Sequence, residues 1–139
     1  MPVKLSTTIS KIESLSNSVN SSLISDLYDY MKKNGLSESH INNTLKTNML
    51  FSEFLGADVS FYGVERREQI INFLDSKIKN PELDPDTKWI TTWNDYLGDI
   101  KYFFRWLYNY KLVEIIESKQ YQSGKPRLLQ ELKRRKLKG

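Results

Sequence analysis

The sequence has no cysteine and only one histidine, His40, among its 139 residues. Without cysteine the chain can form no disulfide, and it has neither a thiol nucleophile nor a cysteine-ligated zinc site. A single histidine excludes a metal site built from several histidines. No segment approaches the roughly eighteen apolar residues that a membrane-spanning helix needs, and no glycine-rich phosphate-binding motif is present. These absences direct attention to the helical pattern and to the charges.

The composition is that of a globular protein. Hydrophobic residues make up 39% and charged residues 27% of the chain, which is typical of a soluble, folded domain. The length suits one compact domain and is too short for two ordinary ones. The amino terminus lacks the basic and then apolar pattern of a secretory signal. We therefore expect a cytoplasmic protein that does not bind membranes.

The net charge of +4 is unevenly distributed along the chain. Residues 125–139 carry seven Lys or Arg against the single acid Glu131, whereas residues 1–124 carry fourteen cations and sixteen anions. The tail therefore makes the protein basic, while the preceding residues sum to −2. A basic segment of this kind indicates either a polyanionic partner or a solvated chain end.

The most informative stretch is 87–110, which holds nine of the seventeen aromatic residues. Its apolar residues fall on one arc of a helical wheel, as in an amphipathic helix that packs against a core. These are Trp89, Ile90, Trp93, Tyr96, Leu97, Ile100, Phe103, Phe104 and Leu107. The remaining face is polar and carries Lys88, Thr91, Thr92, Asn94, Asp95, Lys101, Tyr102 and Arg105.

Three more helices are predicted before this one, over residues 22–33, 37–55 and 64–79. Gly35 and Gly56 end the first two, because glycine adopts the cap conformation without steric cost. Ser37 has the side chain of a helix N-cap. Between the second and third helices, residues 56–63 are predicted to form a loop. The second helix is expected to bury Ile41, Leu45, Met49, Phe51 or Leu50, Phe54 and Leu55.

The two ends of the chain leave alternatives open. Residues 1–20 are rich in Ser, Thr and Asn, which is typical of a flexible leader, but their apolar residues also recur at helical spacing, as in an amphipathic arm. Residues 112–117 are compatible with a short helix or an extended segment, and 127–138 with a basic helix. We expect a helical domain over 21–118 and a basic tail or linker over 119–139.

No segment shows the strict alternation of a β-strand. The predicted fold class is therefore all-α, a small orthogonal bundle of four main helices with possible additional helices at both ends.

Catalytic groups are scarce. A nucleophile, a base and a stabilising group would have to come together, and His40 has the character of a polar surface residue. We therefore expect neither an enzyme nor a bound cofactor. Tyr102 and Trp106 lie off the apolar arc, where they would either pack against a terminal arm or stack on a sugar or base.

The second and fourth predicted helices carry a family resemblance. The segments LSESHINNTLKTNMLFSEFLG and TKWITTWNDYLGDIKYFFRWLYN resemble the amino-terminal core-binding domain of tyrosine recombinases, the SAM-like domain of phage integrases, and are particularly similar to archaeal integrases of that family. The resemblance covers about residues 20–110. It implies a four-helix domain that clamps double-stranded DNA opposite a separate catalytic domain.

In that family the second and fourth helices lie along the major groove. On the second helix this implies DNA contacts from Ser37, Ser39, His40, Asn43, Lys46 and Thr47. On the fourth it implies contacts from Lys88, Thr91, Thr92, Asn94, Lys101 and Arg105. The basic tail, with Lys133, Arg134, Arg135 and Lys136, resembles the linker that lies against the phosphate backbone.

The family's catalytic set of arginines, lysine, histidines and a tyrosine nucleophile belongs to a further domain, and residues after Tyr110 do not supply it. The resemblance thus implies DNA binding without cleavage by this chain alone, with a recombinase catalytic domain or other protomers as possible partners. The alternative is a helical protein-interaction or oligomerisation domain that uses Tyr102, Trp106 and the arm at 5–23.

Overall fold

A computed structural model describes the backbone of residues 4–77 and 88–123 and the side chains of 4–77 and 91–117. Within these residues the chain forms helices joined by turns and irregular segments and forms no strand, which confirms the all-α prediction. The α-helices are α1 (Leu5–Ser10), α2 (Ser18–Lys33), α3 (Glu38–Leu55), α4 (Arg67–Ser76), α5 (Lys88–Trp106) and α6 (Leu112–Ser123). Short 3₁₀ turns lie at Ile12–Ser14 and Phe61–Gly63, and a π-helical segment at Leu107–Lys111. The chain forms two compact units, Met1–Ile100 and Lys101–Gly139.

The predicted ends of α2 and α3 are confirmed. Ser37 caps α3, since its hydroxyl accepts a hydrogen bond from the backbone N–H of His40 at 3.2 Å. Gly35 and Gly56 follow α2 and α3 with φ angles of 70° and 91°, a region that side chains with a Cβ disfavour. At its other end α2 extends back to Ser18, because the Asn17 side chain accepts a hydrogen bond from the N–H of Asn20.

The amino-terminal residues form a docked arm. The hydroxyl of Thr8 in α1 is hydrogen-bonded to Asn42 in α3, and Thr8 is buried. Further along, the backbone N–H and the hydroxyl of Ser16 both donate to the Glu53 carboxylate at 2.8 Å. Of the two alternatives for this segment, the structure contains the helical arm.

Three phenylalanines form the centre of the first unit. Phe51 packs against Phe73 and Phe61, with ring centroids 5.1 and 6.2 Å apart. All three side chains are fully buried. The expected core positions Leu50 and Phe54 are instead 41% and 44% exposed. Of the alternatives Phe51 and Leu50, the structure therefore buries Phe51, whereas the expectation that Phe54 is a core residue was wrong.

A buried asparagine fixes the segment that was predicted as a plain loop. The side-chain amide of Asn20 donates to the Ser52 hydroxyl at 2.9 Å and to the Val59 carbonyl, while its oxygen accepts from the N–H of Phe61 at 2.8 Å. A buried amide needs such partners because burial without them is costly. These bonds hold Phe61 in a 3₁₀ turn whose ring enters the core.

The second unit has its own aromatic cluster. Phe103, Trp106 and Leu107 are buried, and the rings of Phe103 and Trp106 lie 5.8 Å apart. Trp106, which the helical wheel placed on the polar side, is therefore a core residue. Residues 112–117, for which two alternatives were open, form a helix. The predicted basic helix at 127–138 lies outside the described residues.

Candidate functional site

Asp99 joins α3 to α5 within the first unit. The Thr47 hydroxyl donates to its carboxylate at 2.7 Å. The side-chain amide of Asn48 donates to its backbone carbonyl at 3.1 Å and also to the Thr44 carbonyl. Since Thr47 and Asn48 are buried, these bonds are shielded from competing water. The two helices singled out by the sequence therefore contact each other at Asp99.

A cleft of about 400 Å³ lies between these two helices. Its walls include His40, Asn43 and Lys46 from α3, and Asp95, Tyr96 and Asp99 from α5. The exposure of the lining residues gives its depth: Asn43 and Asp95 are exposed, Asp99 is half-buried, and Thr47 is buried at the floor. The cleft is thus polar, with two carboxylates on one wall and a lysine and a histidine on the other.

The position of Asp99 changes its acidity. Partial burial raises the pKa of the Asp99 carboxyl above its ordinary value of 3.8, because burial penalises the charged form; the hydrogen bond from Thr47 and the nearby His40 oppose the rise, and Asp95 adds to it. The folded state therefore binds a proton at Asp99 more readily than the unfolded state does. Ionised Asp99 lowers stability at neutral pH, and this loss is recovered as the pH falls through the raised pKa.

This linkage gives a testable pH dependence. Asp99→Asn removes the titrating group but keeps an oxygen that can accept the Thr47 hydrogen bond. We expect wild type to gain free energy of unfolding relative to Asp99→Asn as the pH is lowered from 7 towards 4, as measured by urea denaturation. A difference between wild type and Asp99→Asn that is independent of pH would contradict the assignment.

The second predicted helix is α3, and the DNA-binding residues predicted on it are only partly available for binding. Ser39, His40 and Asn43 are exposed and Lys46 is half-buried. Ser37 is exposed, but its hydroxyl caps α3. For Thr47 the prediction was wrong, since the residue is only 2% exposed and its hydroxyl is committed to Asp99.

The residues predicted on the fourth helix lie on α5. Thr91, Thr92 and Asn94 are exposed in the first unit. Lys101 and Arg105 are exposed in the second unit. The side chain of Lys88 lies outside the described residues, as do Lys133, Arg134, Arg135 and Lys136. Within the described part of the chain, α5 therefore offers five exposed polar side chains from the predicted set.

Asp95 and Asp99 were not among the predicted site residues. A signal for them was present, because residues four apart lie on one helical face, and Thr91, Asp95 and Asp99 have this spacing. Lys46 also lines a second, more apolar groove, beside Thr8, Lys11 and Leu15 of the arm. Lys46 therefore lies on the ridge that separates this groove from the cleft between α3 and α5.

No group of His, Asp and Glu side chains suited to a metal ion occurs in the residues that the structure describes. None of the helices over the described ranges is long and apolar enough to cross a membrane. Comparison of the chain with protein-family models, curated proteins and solved structures finds no match.

Proposed function

We propose that this chain is a double-stranded DNA-binding module comparable to the core-binding domain of a tyrosine recombinase. The observation that carries the proposal is the pairing of α3 with α5 through Asp99, which leaves Ser39, His40 and Asn43 exposed on one helix and Thr91, Thr92 and Asn94 on the other. The resemblance assigns DNA contacts to these same two helices.

The exposed side chains have suitable chemistry. Hydroxyl and amide groups bind phosphate oxygens and base edges, and Lys and Arg bind phosphates. Lys101 and Arg105 are exposed near the end of α5, and Lys46 stands on a ridge beside the cleft. In the proposed complex these cations hold the backbone of the duplex. The proposal assigns no cleavage to the chain, whose partners are DNA and a recombinase catalytic domain or further protomers.

The alternative, a helical protein-interaction domain, has less support. Its proposed surface combined Tyr102, Trp106 and the arm at 5–23. Trp106 is only 5% exposed, and the arm is fastened to α3 through Thr8 and Ser16. The groups intended for a partner are thus largely occupied within the fold.

Removing two cations from α5 tests the proposed binding face. We expect Lys101→Gln combined with Arg105→Gln to weaken duplex binding about tenfold and to reduce the magnitude of the log–log salt slope by about two, because each phosphate contact contributes close to one unit. Both side chains are exposed, so the fold should be retained. Fluorescence anisotropy with a labelled duplex measures the affinity, and circular dichroism checks the helix content.

A matched control removes the same charge elsewhere. Lys33 at the end of α2 and Arg67 at the start of α4 are also exposed. The double variant Lys33→Gln and Arg67→Gln should bind within about twofold of wild type, since the proposal assigns neither residue to a phosphate. Equal losses in the two double variants would overturn the assignment of the binding face.

A further inference from the structure

Two polar side chains lie at the rim of the cleft between α3 and α5. Asn43 on α3 and Asp95 on α5 both line the cleft and are exposed. Neither forms a hydrogen bond with another residue of the described part of the chain. Deeper in the cleft, by contrast, Thr47 and Asp99 are bonded to each other. The rim therefore presents a carboxylate from one wall and a carboxamide from the other.

The charge of Asp95 limits what can approach this rim. An ionised carboxylate only accepts hydrogen bonds, and it repels a phosphate. Asp99 lies one helical turn further along the same wall, which adds to the negative potential. A group that binds to Asp95 itself must donate hydrogen bonds, and phosphate oxygens cannot.

The major groove of DNA offers such donors. Cytosine presents its N4 amino group there and adenine its N6 amino group beside the N7 acceptor. Aspartate accepts from the cytosine amino group, whereas asparagine can pair with adenine through both the N6 donor and the N7 acceptor. The two rim residues thus match the two bases that carry amino groups in the major groove.

We propose that Asp95 and Asn43 read base edges, with Asp95 accepting a hydrogen bond from cytosine and Asn43 pairing with adenine. This inference rests on the proposed function, in which duplex DNA lies along α3 and α5. The cations and the carboxylate then have separate roles. Lys46, which also lines the cleft, binds a phosphate and helps to fix the position of the duplex, and the rim residues supply its sequence preference.

The test begins with selection of tightly bound duplexes from a random pool by the full chain. Any recurring C·G pair is then replaced by T·A in a synthetic duplex, and the two affinities are compared by fluorescence anisotropy. Wild type should prefer the C·G duplex about tenfold at one position. Asp95→Asn should abolish this preference, because the carboxamide lacks the negative charge and can itself donate. Asp29→Asn, which removes an exposed acid from α2, should retain the preference.

The outcomes separate this inference from the function on which it rests. If wild type binds duplexes with strong salt dependence but the pool yields no cytosine preference, base reading by Asp95 is wrong and DNA binding stands. The same conclusion follows if Asp95→Asn keeps the full preference. If wild type retains no duplex at all, both the proposed function and this inference fail.

Discussion

Replacing Phe51 with alanine is expected to lower the free energy of unfolding by about 3–5 kcal/mol, the range for deleting a buried phenylalanine ring. Phe51 is fully buried and packs against both Phe61 and Phe73. Its removal would take contacts from rings supplied by the 3₁₀ turn and by α4, and the three segments cannot all close the cavity. Urea denaturation followed by circular dichroism measures the change.

Phe54→Ala is the matched control on the same helix. Phe54 is 44% exposed and makes an edge-on contact with Phe73, with centroids 5.6 Å apart. Less apolar surface is lost there, so we expect a cost of about 1 kcal/mol. If the two variants were equally destabilised, the division of α3 into a buried and an exposed face would be incorrect.

The helices themselves were predictable from the sequence because their signals are local. Gly35, Ser37 and Gly56 determine where α2 ends and where α3 begins and ends, through backbone preferences that need no distant partner. The apolar arc of the fourth predicted helix likewise identified Ile100, Phe103 and Leu107 as buried. Short-range chemistry was sufficient for these features.

Features that depend on distant partners were not predictable. Asn20 is buried because it bonds Ser52, Val59 and Phe61, which lie more than thirty residues further along the chain. Periodicity does not show such a bond, and for the same reason Phe61 was predicted to lie in a loop. Thr47 has the side chain of a surface residue, yet Asp99, fifty-two residues away, accepts a hydrogen bond from its hydroxyl.

The candidate site likewise combines features that local sequence signals predict with features that depend on distant residues. Exposure of Ser39, Asn43 and Thr91 followed from their places on two amphipathic helices. The role of Asp99 in joining those helices did not, because it requires their relative position. Trp106 was misplaced for a related reason: a wheel drawn around one apolar arc does not show that Phe103, three residues earlier, would pack against its indole ring.

Duplex binding is expected to fall about a thousandfold when the salt concentration rises fourfold. Contacts to about six phosphates release condensed counterions and give a log–log slope near −5. The proposed function assigns part of these contacts to the exposed or half-buried cations Lys46, Lys101 and Arg105 and more of them to the basic residues 133–136. Residues 1–124 carry a net charge of −2, so they can contact phosphates only where their cations are clustered. The slope of the log–log salt plot therefore measures how many cations contact phosphates.

The most direct test is therefore the dissociation constant of the full chain for a generic duplex, measured by fluorescence anisotropy at several salt concentrations between about 50 and 200 mM. The proposed DNA-binding function predicts a straight log–log plot with a slope near −5. Absence of binding at the lowest salt concentration, or an affinity unchanged across the range, would contradict it.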